Sequence, residues 1–239
     1  MGKKAMVISW MIMIGILIII ILYFVYATRN QLIEMIKPKV SDVSAVQIYV
    51  ENCIDAVSKY AAYTVGKQGG SIFLRERHFS NPFLNVNYAF DKAKTFPTID
   101  EVKTEMEQFI NSNLKNCTAD FRGFKSKGIE IEEGNVSSEI IFGPRSFIVT
   151  VNYPLKISSG GKTTLIEKMQ KDVPLNLGKI HSETDNFLSF FDRRYNLTYL
   201  RNRASSTYIV PFEDADLFVE ASSESNLFGD SYLFLYAVS

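Results

Sequence analysis

The sequence predicts an α+β fold behind an N-terminal transmembrane helix, with helices packed on an antiparallel β-sheet. Three observations carry that expectation. An uncharged run, Ala5 to Ala27, lies between Lys3-Lys4 and Arg29. Apolar residues then recur at helical spacing over residues 41–70 and 98–117. From Gly128 onward the period shifts to short alternating and β-branched runs between glycine turns. Helices followed by runs of strands favour an antiparallel sheet over alternating βαβ units.

The uncharged run comes first. Its 23 residues, rising about 1.5 Å each, make a helix of about 34 Å against a hydrocarbon core of about 30 Å. A cleaved secretory signal has a shorter apolar region, about 7–15 residues, ending in small residues. Here Ile, Leu and Met continue into Tyr23, Phe24, Val25 and Tyr26. Trp10 and the Tyr23/Tyr26 pair fall near opposite ends, where amphipathic rings favour the headgroup level. The expected organisation is a short cytoplasmic tip (1–4), a transmembrane helix (5–27), a juxtamembrane connector (28–40) and an α+β ectodomain (41–239), with the lipid bilayer as a partner.

Basic residues flank both ends of the run, Lys3 and Lys4 on one side and Arg29, Lys37 and Lys39 on the other, so charge alone does not orient it. Asn116-Cys-Thr, Asn135-Val-Ser and Asn196-Leu-Thr each have the glycosylation acceptor pattern. Together with the two cysteines they favour a cytoplasmic N-terminus and an extracellular C-terminal region. Equal numbers of acidic and basic residues, 26 each, leave no strongly charged face for a nucleic acid, while 18 Phe and 12 Tyr argue for a packed or ring-rich binding domain.

Beyond the span, Val43, Val46, Val50, Ile54, Val57, Ala61 and Val65 form one helical stripe, with Ser41 placed to cap its start and Gly69-Gly70 its end. Pro38 marks either a bend or a first-turn position. A second helix begins at Thr98-Ile-Asp-Glu101, which has the capping-box form, and Ile99, Val102, Met106, Phe109/Ile110 and Leu114 continue it at helical spacing. Cys53 lies on the first stripe and Cys117 extends the second. Packing of the two helices brings these cysteines within reach of a disulfide; the alternative is two buried free thiols.

Ile129-Glu-Ile-Glu, Glu139-Ile-Ile-Phe and Ser146 to Tyr153 read as a strand meander with turns at Gly134-Asn135 and Gly143-Pro144. Gly160-Gly161 reads as a hairpin turn. The GGKTT around it lacks the glycine that a phosphate-binding loop needs five residues earlier, where Lys156 stands. A third helix is expected from about Asn176 into the Leu200 region, with Leu177, Ile180, Phe187, Leu188, Phe191 and Tyr195 inward. Arg193, Arg194, Arg201 and Arg203 suit a solvated face in a neutral domain better than a nucleic-acid patch. Leu217-Phe-Val-Glu and Tyr232 to Tyr236 read as closing strands.

Catalytic motifs are missing from the sequence: there is no G-x-S-x-G, H-E-x-x-H or dinucleotide loop. His78 and His181 are too isolated to form a metal set with the two cysteines, and Glu213, Asp214 and Asp216 lack a calcium-loop pattern. No cofactor is expected. The stretch Phe73 to Phe96, carrying Phe79, Phe83, Tyr88 and Phe90, is long and irregular. It either covers the core or forms a contact loop.

The combination of Lys3-Lys4-Ala5, YVENCIDAVSKYAAYTVGKQGGSI, PTIDEVKTEMEQFINSNLKNC and VTVNYPLKI resembles single-span cell-surface proteins of archaea, over most of the chain. The front end is also similar to archaeal type IV prepilins. That resemblance implies that Lys3, Lys4 and Ala5 are recognition positions for processing and that Met6 begins the mature chain. The chain departs from the prepilin pattern in having no glutamate early in the apolar run; the first acid after it is Glu34. The expectation is a membrane-anchored, non-enzymatic surface protein that contacts itself or another envelope protein. A pilin-like filament subunit and a ligand-sensing ectodomain acting through a membrane partner are the alternatives.

Overall fold

The computed structural model describes residues 42–189 and 205–239. The tip, the uncharged run, the connector, Ser41, Asn196 and the arginine-rich stretch with Phe191 and Tyr195 lie outside the described residues. Among the described residues no helix is long and apolar enough to cross a membrane.

Helix α1 (Asp42–Lys67) buries Val46, Val50, Cys53, Ile54, Val57, Ala61 and Val65 along the expected stripe. Its end is a Schellman arrangement: Gly69 takes φ +76° and the Gly70 N–H donates to the Val65 carbonyl at 2.9 Å. Gly69 also has no space for a Cβ, which would come within 2.6 Å of the Asn87 carbonyl oxygen. Helix α2 (Ile99–Thr118) starts with both halves of its capping box in place, Thr98 and Glu101 each holding the other's backbone N–H. The same Thr98 N–H contact holds the Glu101 carboxyl below its ordinary value. Cys53 and Cys117 are joined, their Cα atoms 5.7 Å apart, so the two helices are covalently tied. A 3₁₀ turn (Ala119–Phe121) and a single helical turn, α3 (Arg122–Lys125), lead away from α2.

Two sheets follow. Strands β4 (Glu130–Glu133), β5 (Ser137–Phe142), β6 (Phe147–Ser159) and β7 (Lys162–Val173) form an antiparallel sheet, but not the expected meander, because β4 pairs with β6 and not with β5. β7 pairs along the whole of β6, so β4 and β5 share the opposite edge, β4 on its second half and β5 on its first. Phe147, Val149, Val151, Tyr153, Leu155 and Ile157 alternate inward on β6. Gly160 and Gly161 both have positive φ and close the β6–β7 hairpin as expected.

The other sheet contains β1 (His78–Asn81), β2 (Leu84–Asp91), β3 (Ala93–Lys94), β8 (Ser205–Pro211), β9 (Asp216–Leu227) and β10 (Asp230–Val238), in the order β1-β2-β10-β9-β8 with β3 on β2. This corrects two expectations. The sheet is mixed, because β10 runs parallel to β2 with Ala237 opposite Tyr88 and Val238 opposite Phe90. Turn residues specify direction only between strands joined locally, and these two are separated in sequence by the whole antiparallel sheet. The stretch Phe73 to Phe96 is also largely a β1–β2 hairpin. Asn81 turns it by accepting from the Phe83 and Leu84 N–H groups through its side-chain oxygen.

Helix α4 (Leu177–Ser189) buries Leu177, Ile180, His181, Thr184, Phe187 and Leu188. The described residues make one compact unit. Its main core lies among α1, α2, α4 and one face of each sheet, while Phe79, Val86, Ala215, Leu217, Leu235 and Ala237 form a separate cluster.

Candidate contact surface

Helix α1 is apolar on more than its buried stripe. Tyr60 and Tyr63 stand on its outer side, three residues apart and therefore neighbours on one face. Their ring centroids are 6.2 Å apart. Tyr60 also stacks on Phe109 of α2 at 5.8 Å, and Tyr63 meets Phe228 edge-on at 6.4 Å. Lys67, one turn beyond Tyr63, holds its ammonium 5.2 Å from that ring. Three exposed rings, Tyr60, Tyr63 and Phe228, and half-buried Phe109 thus form a continuous strip across α1, α2 and the β9–β10 turn, with exposed Leu233 beside it.

Phe228 is the unusual member. It occupies a two-residue turn with Gly229, between paired Leu227 and Asp230, and both turn residues have positive φ, +55° and +94°. Gly, or Asn and Asp with their short side chains that hydrogen-bond locally, ordinarily fills the first of these positions, since other side chains are strained there by about 1–2 kcal/mol. Phe228 is nevertheless 61% exposed, so burial does not offset that strain. Strain kept at an exposed aromatic residue is a feature of contact sites.

The strip is firmly backed. A shallow cleft of about 220 Å³ runs between Tyr63, Lys67, Phe228, Asp230, Ser231 and Leu233. Beneath it the buried Tyr232 hydroxyl donates to the Ala62 carbonyl at 2.8 Å, and burial pushes that hydroxyl's pKa far up, so it stays protonated. Gly66 fits against Tyr232 only because it has no side chain; a Cβ would lie 2.6 Å from the hydroxyl oxygen. Such a surface can bind through ring stacking and rim polar contacts.

The four residues of the expected contact loop are separated by the fold. Phe83 projects from the hairpin tip at 93% exposure. Phe79 is buried in the separate cluster, Tyr88 packs partly against that same cluster, and Phe90 packs against the main core. Phe79 meets Phe212 at 4.8 Å, beside exposed Tyr208 and Val210. Asn116 and Asn135 are exposed.

A larger cleft, about 650 Å³, lies between α4 and the β5–β6 turn, lined in part by Lys94, Phe96, Thr98, Pro144, His181 and Asp185. Its ionic groups are engaged: Lys94 pairs with Asp185 at 2.6 Å and donates to the Ser189 hydroxyl at 3.0 Å. His181 stacks on Phe96 at 4.7 Å, with Nε2 2.8 Å from the Pro97 carbonyl. A carbonyl only accepts, so Nε2 carries the proton. His78 places Nδ1 2.8 Å from the Arg75 carbonyl. Among the described residues no three His, Cys, Asp or Glu side chains gather as a metal donor set. The buried carboxylate of Glu220 accepts from the Tyr236 and Thr184 hydroxyls at 2.8 and 3.4 Å, joining α4 to the mixed sheet.

Sequence reasoning missed the aromatic strip. Tyr60 and Tyr63 fall between the apolar positions of α1, and Phe109 and Phe228 reach them only through tertiary packing. The Phe228-Gly229 pair was the available signal, an X-Gly turn with an aromatic where Asn or Asp is usual. Compared with known proteins, the chain matches no family model, no curated protein and no solved structure.

Proposed function

We propose that this is a membrane-anchored, non-enzymatic surface protein whose folded outer unit binds a second copy of itself through the Tyr60–Tyr63–Phe109–Phe228 strip. The uncharged run Ala5–Ala27 supports the anchor, and the sequons with the Cys53–Cys117 bond support an outer location. One observation carries the contact role: exposed Tyr60, Tyr63 and Phe228 converge from α1 and the β9–β10 turn beside half-buried Phe109 of α2, and Phe228 is held in a strained turn without burial. Interfaces are enriched in such aromatic residues at their centres.

The test places a photo-reactive phenylalanine analogue at position 228 in the full chain, in membranes, with Leu165 on β7 as the exposed control. A covalent dimer from position 228 and none from 165 is the expected result. No adduct at 228, or equal adducts at both, overturns the contact reading. The Lys3-Lys4-Ala5 pattern favours a second reading, a filament subunit, in which the apolar run packs between subunits after cleavage before Met6.

A further inference from the structure

The sequons at Asn116 and Asn135 have different structural settings: we infer that, of these two, Asn135 is the glycan acceptor of the folded protein and that the Cys53–Cys117 disulfide shields Asn116. This inference rests on the proposed outer location of the folded unit, concerns residues outside the aromatic strip and does not depend on the contact reading.

A transferase must hold the acceptor amide together with the hydroxyl two residues later, which is why the pattern is N-x-S/T. At Asn116 these two groups are turned apart. Residues 116–118 form the last turn of α2. Asn116 is exposed, but Thr118 is 1% exposed and its hydroxyl donates to the Lys115 carbonyl at 3.0 Å. The residue between them, Cys117, is bonded to Cys53, and its carbonyl accepts from the Tyr49 hydroxyl at 3.0 Å. Presenting Asn116 and Thr118 together requires unwinding the turn, against the disulfide and the Tyr49 contact. At Asn135 the restraint is backbone pairing at the flanks, the Gly134 N–H donating to the Pro154 carbonyl at 2.7 Å and Ser137 opposite Asn152 of β6, which leaves both acceptor side chains outward. Asn135 lies in the loop between β4 and β5, and both Asn135 and Ser137 are exposed on either side of half-buried Val136.

The transfer joins the asparagine Nδ2 to the anomeric carbon of a glycan. That carbon's bond to a lipid pyrophosphate breaks, the pyrophosphate departs with the bonding electron pair, and the proton lost by the amide passes through solvent to the departing pyrophosphate. No oxidant or reductant is needed.

The experiment incubates the oxidised full chain in detergent with a purified oligosaccharyltransferase and a lipid-pyrophosphate-linked oligosaccharide, then measures occupancy of each asparagine by peptide mass spectrometry. Asn135 should be occupied over Asn116 by about tenfold or more, reflecting the rarity of local opening at α2. Cys53→Ser, which leaves the acceptor pattern intact, should raise Asn116 without lowering Asn135. Tyr49→Phe, which keeps the disulfide, should raise Asn116 to a smaller extent. Comparable occupancy of the two sites in the oxidised chain overturns the inference, as does an unmodified Asn135.

Discussion

The Tyr49 hydroxyl donates to the Cys117 carbonyl at 3.0 Å, one helical turn along α1 from the Cys53–Cys117 disulfide. Two adjacent points of one helix thus grip the end of the other. The grip fixes α1 and α2 together, and with them Tyr60 and Phe109, whose rings meet further along the same pair of helices.

That tie should dominate stability. The bonded cysteines are 64 residues apart, and closing a loop of that size restricts the unfolded chain by about 4 kcal/mol in the chain-entropy model. Urea unfolding of the oxidised protein and of Cys53→Ser should differ by roughly 2–5 kcal/mol. A difference below about 1 kcal/mol would remove the disulfide from its structural role.

Two glycines with the same backbone sign should respond differently to alanine. Gly69 and Gly128 both have positive φ, but only Gly69 would drive a Cβ into backbone, 2.6 Å from the Asn87 oxygen. Gly128→Ala should cost about 1 kcal/mol from conformation alone, while Gly69→Ala should cost several kcal/mol because α1 must separate from β2. Equal losses in thermal or urea unfolding would contradict this packing.

Phe228→Asn should separate folding from contact. Asn-Gly suits the turn that Phe228-Gly229 now makes, so the variant should gain about 1 kcal/mol of stability while its self-association weakens. Calorimetry and sedimentation on the same sample read the two effects. A destabilised variant would show that the Phe228 ring is needed for the fold.

His181 should give stability a pH dependence. Burial holds it below its ordinary value of 6.5, outweighing the Pro97 carbonyl and Asp185, which pull upward, while Lys94 adds to the lowering. The unfolded imidazole therefore binds protons near pH 6 when the folded one does not. Stability is full above the unfolded value and falls as pH drops below it, by at most about 1.4 kcal/mol per pH unit. The urea midpoint should fall between about pH 7.5 and 5.5 in the native chain and fall less in His181→Gln. Identical slopes would show that this imidazole is protonated alike in both states.

Much of the fold was legible wherever local pattern and tertiary need coincide. Thr98 to Glu101 announces the start of α2, the Val46-to-Val65 stripe announces α1, and Gly160-Gly161 announces a hairpin, because each feature is encoded by neighbouring residues. The β1–β2 hairpin was less legible: Leu84, Val86, Tyr88 and Phe90 alternate with Asn85, Asn87 and Asp91 as a strand should, but β1 is only four residues long and Asn87, on the polar side, is buried for a tertiary reason. Its side chain accepts from the Arg75 N–H at 2.8 Å and donates to the Phe73 carbonyl at 3.1 Å. The parallel pairing of β2 with β10 depends on contacts across most of the chain. The contact surface was legible only in part: exposed Phe83 lies within the stretch singled out from sequence, but the strip around Phe228 is assembled from three distant segments.

The permanent anchor is tested most directly by the N-terminal peptide and intact mass of the protein isolated from its own membranes. We expect a chain that keeps Lys3-Lys4 ahead of the uncharged run. A chain beginning at Met6 would contradict a permanent anchor and make the apolar segment the packing element of a processed filament subunit.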